Sequence, residues 1–100
     1  MTLDEFNREI NKSPIKICYF SHDECNVCKV LKPQVRELVS GFGDMDFLYV
    51  NTKESMEVSG QFMVFAIPTI IIFFEGREVK RYSRHLSLQD FRSFLQKMVN

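Results

Sequence analysis

One hundred residues, 45% apolar and 26% charged, have the make-up of an average folded domain, which excludes a disordered chain. The longest apolar run, Phe62 to Phe74, is too short to span a bilayer and is broken by Pro68 and Thr69. Net charge is zero, which argues against a nucleic-acid binder, and the expectation is one domain over residues 1–100.

Met1 to Asn11 reads as a charged helix and not as a secretory leader. Thr2 and Glu5 form a capping box, Leu3, Phe6 and Ile10 follow at helical spacing, and the element should stop near Lys12, before Pro14. Ile15 to Ser21 is β-branched and aromatic with almost no alternation, the pattern of a central strand buried on both faces. From Cys25 to about Ser40 the spacing turns helical, with Val27, Leu31, Val35, Leu38 and Val39 on one side, Pro33 inside, and Gly41 and Gly43 as terminators.

Met45 to Val50 is a second strand, and about Ser55 to Phe65 a helix carrying Met56, Phe62 and Met63. Thr69 to Phe74 is a third strand, and Glu75-Gly76-Arg77 turns the chain into an alternating edge strand from Glu78 to Ser83. Ser87 and Asp90 cap a last helix with Leu88, Phe91, Phe94, Leu95 and Met98 on its inner stripe. The charge is unevenly spread: residues 1–76 carry seven basic and eleven acidic side chains, residues 77–100 six and two. Arg77, Lys80, Arg81 and Arg84 are read as guards of a sheet edge.

The order α-β-α-β-α-β-β-α begins with a parallel pair joined by a right-handed crossover and ends in a hairpin. The central strands offer no polar side, so helices must cover both faces. The expected class is α/β, a three-layer sandwich.

Cys25 and Cys28 stand three positions apart where a strand hands over to a helix. Such a pair can hold a metal, close a disulfide, or exchange electrons. The three cysteines are an odd number, and without a leader the expected compartment is cytoplasmic, where a C-x-x-C is catalytic or metal-binding more often than structural. The first thiol would face unpaired N–H groups at the helix start, and the second, one turn on, can reach it. That arrangement suits an exposed attacking thiolate and a sheltered resolving thiol.

Over nearly its whole length the chain resembles the thioredoxin family. The resemblance is carried by C-N-V-C at Cys25 to Cys28, Lys29, Pro33 five positions beyond the second cysteine, I-P-T at Ile67 to Thr69, and the F-F-E-G turn ending at Gly76. It implies a thioredoxin fold with a four-stranded mixed sheet of order 2-1-3-4 and an N-terminal helix first. It implies a thiol–disulfide oxidoreductase that reduces protein disulfides, with Cys25 as nucleophile and Cys28 as resolving thiol. It further implies a cis Ile67-Pro68 peptide whose backbone pairs with substrate, and no cofactor. The implied partners are protein disulfides and an upstream donor such as a thioredoxin reductase, acting on a monomer without nucleic acid or membrane.

The departures are specific. The family's tryptophan before the first cysteine is Glu24, and its Gly-Pro is Asn26-Val27, which carries no cation and disfavours the strongly oxidising end. The family's buried acid falls on Tyr19, the lysine that partners it on Phe47, and a glycine of the substrate groove near Arg84. Asp23 and Glu24 oppose the helix: a carboxylate about 6 Å away raises a thiolate by roughly 0.7 kcal/mol, against roughly 0.3–1 kcal/mol from the helix start. His22 is a loop residue able to tune the thiols.

Two other readings compete. One is a redox-silent binding module, favoured by the lost acid–lysine pair and tryptophan but not by two retained cysteines. The other is zinc on Cys18, His22, Cys25 and Cys28. Against zinc, Cys18 and His22 would lie roughly 13 Å apart along an extended strand; no metal site is expected, and Cys18 reads as a buried hydrophobe.

Overall fold

The computed structural model describes residues 1–99. Its elements are α1 (Leu3–Ile10), β1 (Ile15–Ser21), α2 (Asn26–Ser40), β2 (Met45–Asn51), α3 (Met56–Gln61), β3 (Thr69–Phe74), β4 (Arg77–Ser83) and α4 (Leu88–Val99). The sheet runs β2-β1-β3-β4, with β1 and β2 parallel and the other two pairings antiparallel. This is the mixed sheet of order 2-1-3-4, first helix leading, that the resemblance implies.

All seven residues of β1 are buried, because the strand is central and covered on both faces. Its two-residue period divides the core. Ile15, Ile17 and Tyr19 join Ile70 and Ile72 of β3 beneath Val35 and Val39 of α2 and Phe91 and Leu95 of α4. Cys18 and Phe20 join Ile71 and Phe73 against Phe6 and Ile10 of α1 and Val58 of α3. Phe6 centres that second layer, its ring 5.1 to 6.0 Å from those of Phe62, Phe73 and Phe20. Lys16, also buried, sends its ammonium to the Asp46 carboxylate at 3.5 Å.

Several boundaries differ from the sequence expectation. The capping box forms at Thr2, but α1 stops at Ile10, where the Asn11 N–H bonds back to the Arg8 and Glu9 carbonyls. Val27, expected on the inner side of α2, is 66% exposed; Leu31, Val35, Leu38 and Val39 form the covered side, and Cys28 fills the first turn instead. The third helix is shorter than expected, and Met56 and Met63 lie outside the core. Met63 takes a left-handed φ of 52°, the Met63 N–H reaches Gly60 and the Val64 N–H reaches Ser59, which closes the helix in a Schellman motif without a glycine.

The β3–β4 turn uses Glu75 at φ 50° and Gly76 at φ 82°, the two positive values a tight hairpin needs. A β-carbon on Gly76 would run into the Asn11 side chain. Pairing of β3 with β4 jumps from Ile72–Lys80 to Phe73–Glu78, so Val79 sits in a bulge and the expected alternation breaks there. Arg77, Lys80 and Arg81 do lie on the edge strand, and Arg81 is held by Glu78 at 2.8 Å.

Candidate active site

The cysteine pair sits where β1 passes into α2. Cys25 is the last residue before the helix, extended at φ −89° and ψ 106°, and its sulfur accepts the Cys28 N–H at 3.2 Å. A thiol in the N-cap position therefore meets one of the N–H groups that a helix start leaves without a backbone partner. Its own N–H donates to the His22 carbonyl at 3.3 Å, which fixes the loop in front of it. The two cysteines are joined as a disulfide with Cα atoms 5.2 Å apart. Cys25 is half-buried, whereas Cys28 is 2% exposed and packs into the α2–α4 side of the core. One sulfur faces outward and the other inward.

The loop before β3 shares this end of the sheet, because Phe20 pairs with Thr69. The Ile67–Pro68 peptide is cis, Pro68 is buried, and Ile67 packs against the same core as Cys25. The Pro68 carbonyl accepts the Arg84 N–H at 2.9 Å, so the β4–α4 loop comes to the same place.

Tyr19 and Phe47 stand beneath the pair. Tyr19 is fully buried and its hydroxyl donates to the Cys28 carbonyl at 3.0 Å. Burial, with the Tyr49 phenol as a lesser cause, pushes the Tyr19 phenol up to about 12. The Phe47 ring lies 6.0 Å from it. Where the resemblance leads one to look for an acid and a lysine, the protein holds an uncharged aromatic pair that anchors the first turn of α2.

Polar groups approach Cys28 from another side. A cavity of about 40 Å³ beside it is lined by His22, Asp23, Lys29, Lys32 and Tyr49, together with Ser21. That is enough room for one water. The Lys32 ammonium lies 3.6 Å over the Tyr49 ring. Burial first, and then the Asp23 and Glu54 carboxylates, push the Tyr49 phenol up.

The residues flanking the cysteines divide. Asn26 and Val27 are both exposed between the sulfurs. His22 accepts the Glu24 N–H on Nδ1 at 3.3 Å, so the ring shapes the loop and, when neutral, carries its proton on Nε2. Glu24 forms an exposed ion pair with Lys53 at 2.6 Å, and that hydrogen bond holds its carboxyl below the usual carboxylate range. In the chain Glu24 stands as an unopposed charge beside the thiol; in the fold Lys53 offsets much of that charge. Lys53 is 29 positions away, and no spacing rule pairs the two.

Cys18 is drawn away from the others. It belongs to the layer under α1 and α3, on the opposite face of the sheet from Cys28, and burial pushes its thiol up. Among the described residues no three His, Cys, Asp or Glu side chains gather to hold a metal ion.

Comparison with known proteins agrees with this geometry. The family model described as Thioredoxin matches residues 1–97. The chain is 27% identical over 89 residues to thioredoxin-like protein YdfQ of Bacillus subtilis, covering 89% of this chain and 80% of that protein. It is 28% identical over 76 residues to thioredoxin H2 of Arabidopsis thaliana, and there spans 57% of the relative's length. Thioredoxin 1 of Thermosipho africanus superposes with a TM-score of 0.79 at 31% identity, over 84% of this chain and 93% of that one. Fasciola hepatica thioredoxin superposes at 0.85 with 23% identity over 96% and 93%, a likeness of fold alone. With its family model spanning almost every residue and its cysteine pair at the head of α2, the chain belongs to the thioredoxin family.

Proposed function

We propose that the chain, acting as one domain, is a thiol–disulfide oxidoreductase that reduces protein disulfides, with Cys25 as nucleophile and Cys28 as resolving thiol. The observation that carries this reading is the asymmetry of the pair: Cys25 half-buried at a helix N-cap, Cys28 2% exposed behind it. In the reduced form the Cys25 thiolate attacks one sulfur of the substrate disulfide. The substrate bond breaks, a mixed disulfide forms on Cys25, and the departing substrate thiolate takes up a proton. The Cys28 thiolate then attacks the Cys25 sulfur, releases the second substrate thiol and leaves the Cys25–Cys28 disulfide. Two electrons pass to the substrate, so a dithiol donor must return the pair to its reduced form; a thioredoxin reductase fits that role.

Ile67 and Pro68 are assigned to substrate binding. Their support is position: Pro68 lies at the sheet end that carries Cys25, and backbone at such an edge can pair with an extended segment. His22, Glu24, Asn26 and Val27 are assigned to tuning, since they flank the cysteines in the chain and none of them is fully buried. Charged residues on the edge strand β4 favour a monomer, and a reducing cytoplasm suits the odd cysteine count. No helix of the described residues is long and apolar enough to cross a membrane.

Equilibration of the Cys25–Cys28 pair in a graded dithiothreitol redox buffer, with zinc measured on the same sample, tests the reading. Reversible two-electron oxidation in zinc-free protein is the expected result. A pair that stays oxidised or reduced throughout, or stoichiometric zinc, contradicts it.

A further inference from the structure

A groove of about 460 Å³ opens between the first turns of α2 and the β4–α4 loop. One wall is α2, through Val27, Val30, Leu31 and Gln34; the other is the β4–α4 loop, through Arg84, His85 and Leu86. Val27 lies between the two cysteines in sequence, and the Arg84 N–H bonds the Pro68 carbonyl, so both walls of the groove are tied to segments that flank the pair. Val27 and Val30 are each 66% exposed, two β-branched apolar residues unshielded on the first turns of a helix. They form an apolar floor for a polypeptide, and the rim opposite them is basic.

Arg84 sets that rim. It holds a left-handed φ of 67°, a backbone state that is unfavourable for any residue with a β-carbon. The strain is held in place by its N–H bond to the Pro68 carbonyl, 2.9 Å long. Glycine would meet that backbone demand without strain, so arginine at this position brings something that the backbone does not require. Its side chain is exposed and takes part in none of the ion pairs formed among the described residues. On the other flank of Cys25, Lys53 offsets much of the Glu24 charge. The positive last quarter of the chain, residues 77–100, adds to the field on the Arg84 side.

We infer that Arg84 is a specificity-determining residue: it selects disulfide-bearing polypeptides that carry an acidic side chain next to the attacked cysteine, laid in the Val27–Arg84 groove. The inference rests on the oxidoreductase reading above and extends it to a substrate class. The apolar floor takes the neighbouring side chain of the substrate, the Arg84 guanidinium takes its carboxylate, and the exposed His85 ring adds a hydrogen-bonding group. An approaching basic segment is repelled at the same rim.

The test uses pre-reduced protein, freed of reductant, and a short cyclic peptide closed by one disulfide. The peptide is made with Asp, Asn or Lys next to one cysteine, and its reduction is followed by mass spectrometry of quenched samples. The Asp peptide should be reduced about tenfold faster than the Lys peptide at low ionic strength, with Asn between, the product of one surface attraction and one repulsion. The ratio should contract in about 0.5 M NaCl, where surface charges are screened. Arg84→Gly removes the charge and the backbone strain together, and Arg84→Gln removes the charge alone; in both, the Asp-to-Lys ratio should fall close to one. Equal rates in the unaltered protein, or a preference that survives both substitutions, overturn the assignment while leaving the oxidoreductase reading intact. Failure to reduce any of the three peptides overturns both.

Discussion

Cys25 and Cys28 were legible because their chemistry is local: a spacing of three and a strand-to-helix junction are both written in the chain. What surrounds them was not. Tyr19 could be seen to displace a buried acid, but its bond to the Cys28 carbonyl depends on the depth at which β1 passes under α2. Tyr19→Phe should lower stability by about 1–2 kcal/mol at neutral pH, since a buried carbonyl loses its donor. Its pH dependence follows from the raised phenol. Below pH 10 both states keep the proton; from 10 to about 12 the unfolded chain loses it first, so stability falls as pH rises through that window. Urea denaturation should therefore show Tyr19→Phe losing about 2–3 kcal/mol less than the unaltered protein across it. Glu24 carries the second residue-scale prediction. Removing its charge also frees the Lys53 ammonium, and both changes favour the thiolate. In Glu24→Gln the alkylation pKa of Cys25 should fall by about half a unit; a rise would refute the repulsion.

Among the elements, the strands were the most legible, since β1 and β3 are rich in β-branched and aromatic residues and are bounded by Pro14, Pro68 and the Glu75-Gly76 turn. Helix ends were less so. The third helix was expected to carry Met56, Phe62 and Met63, but its buried residues are Val58 and Ser59. Its stop is a left-handed Met63, a place where glycine is the usual signal, so the sequence offered no punctuation. Met63→Gly should therefore raise stability by about 0.5–1 kcal/mol, because Met63 is 65% exposed and little packing is lost. A shift of the thermal midpoint upward checks this, and a downward shift contradicts it. Val27 was misplaced for a related reason: helical spacing alone cannot tell an apolar residue facing the sheet from one left open beside a reactive pair.

At the scale of the whole molecule, the two-residue period of β1 separates the cysteines more completely than distance along the chain suggests. Tyr19 lies beneath Cys28, while Cys18, one position earlier, faces the aromatic layer around Phe6. The sheet thus isolates one buried thiol from the redox pair, and the residues used for a zinc reading fall on opposite sides of it. The three-layer order was legible from the alternation of elements; which loops would meet at the cysteine end was not, since that depends on the pairing of β1 with β3. The central claim is that Cys25 attacks and Cys28 resolves. Cys28→Ser, reduced and incubated with a disulfide-bonded protein such as oxidised insulin, tests it most directly by mass spectrometry of the adducts. The account predicts a stable mixed disulfide mapped to Cys25, with Cys18 unmodified; no adduct, or one carried on Cys18, would contradict it.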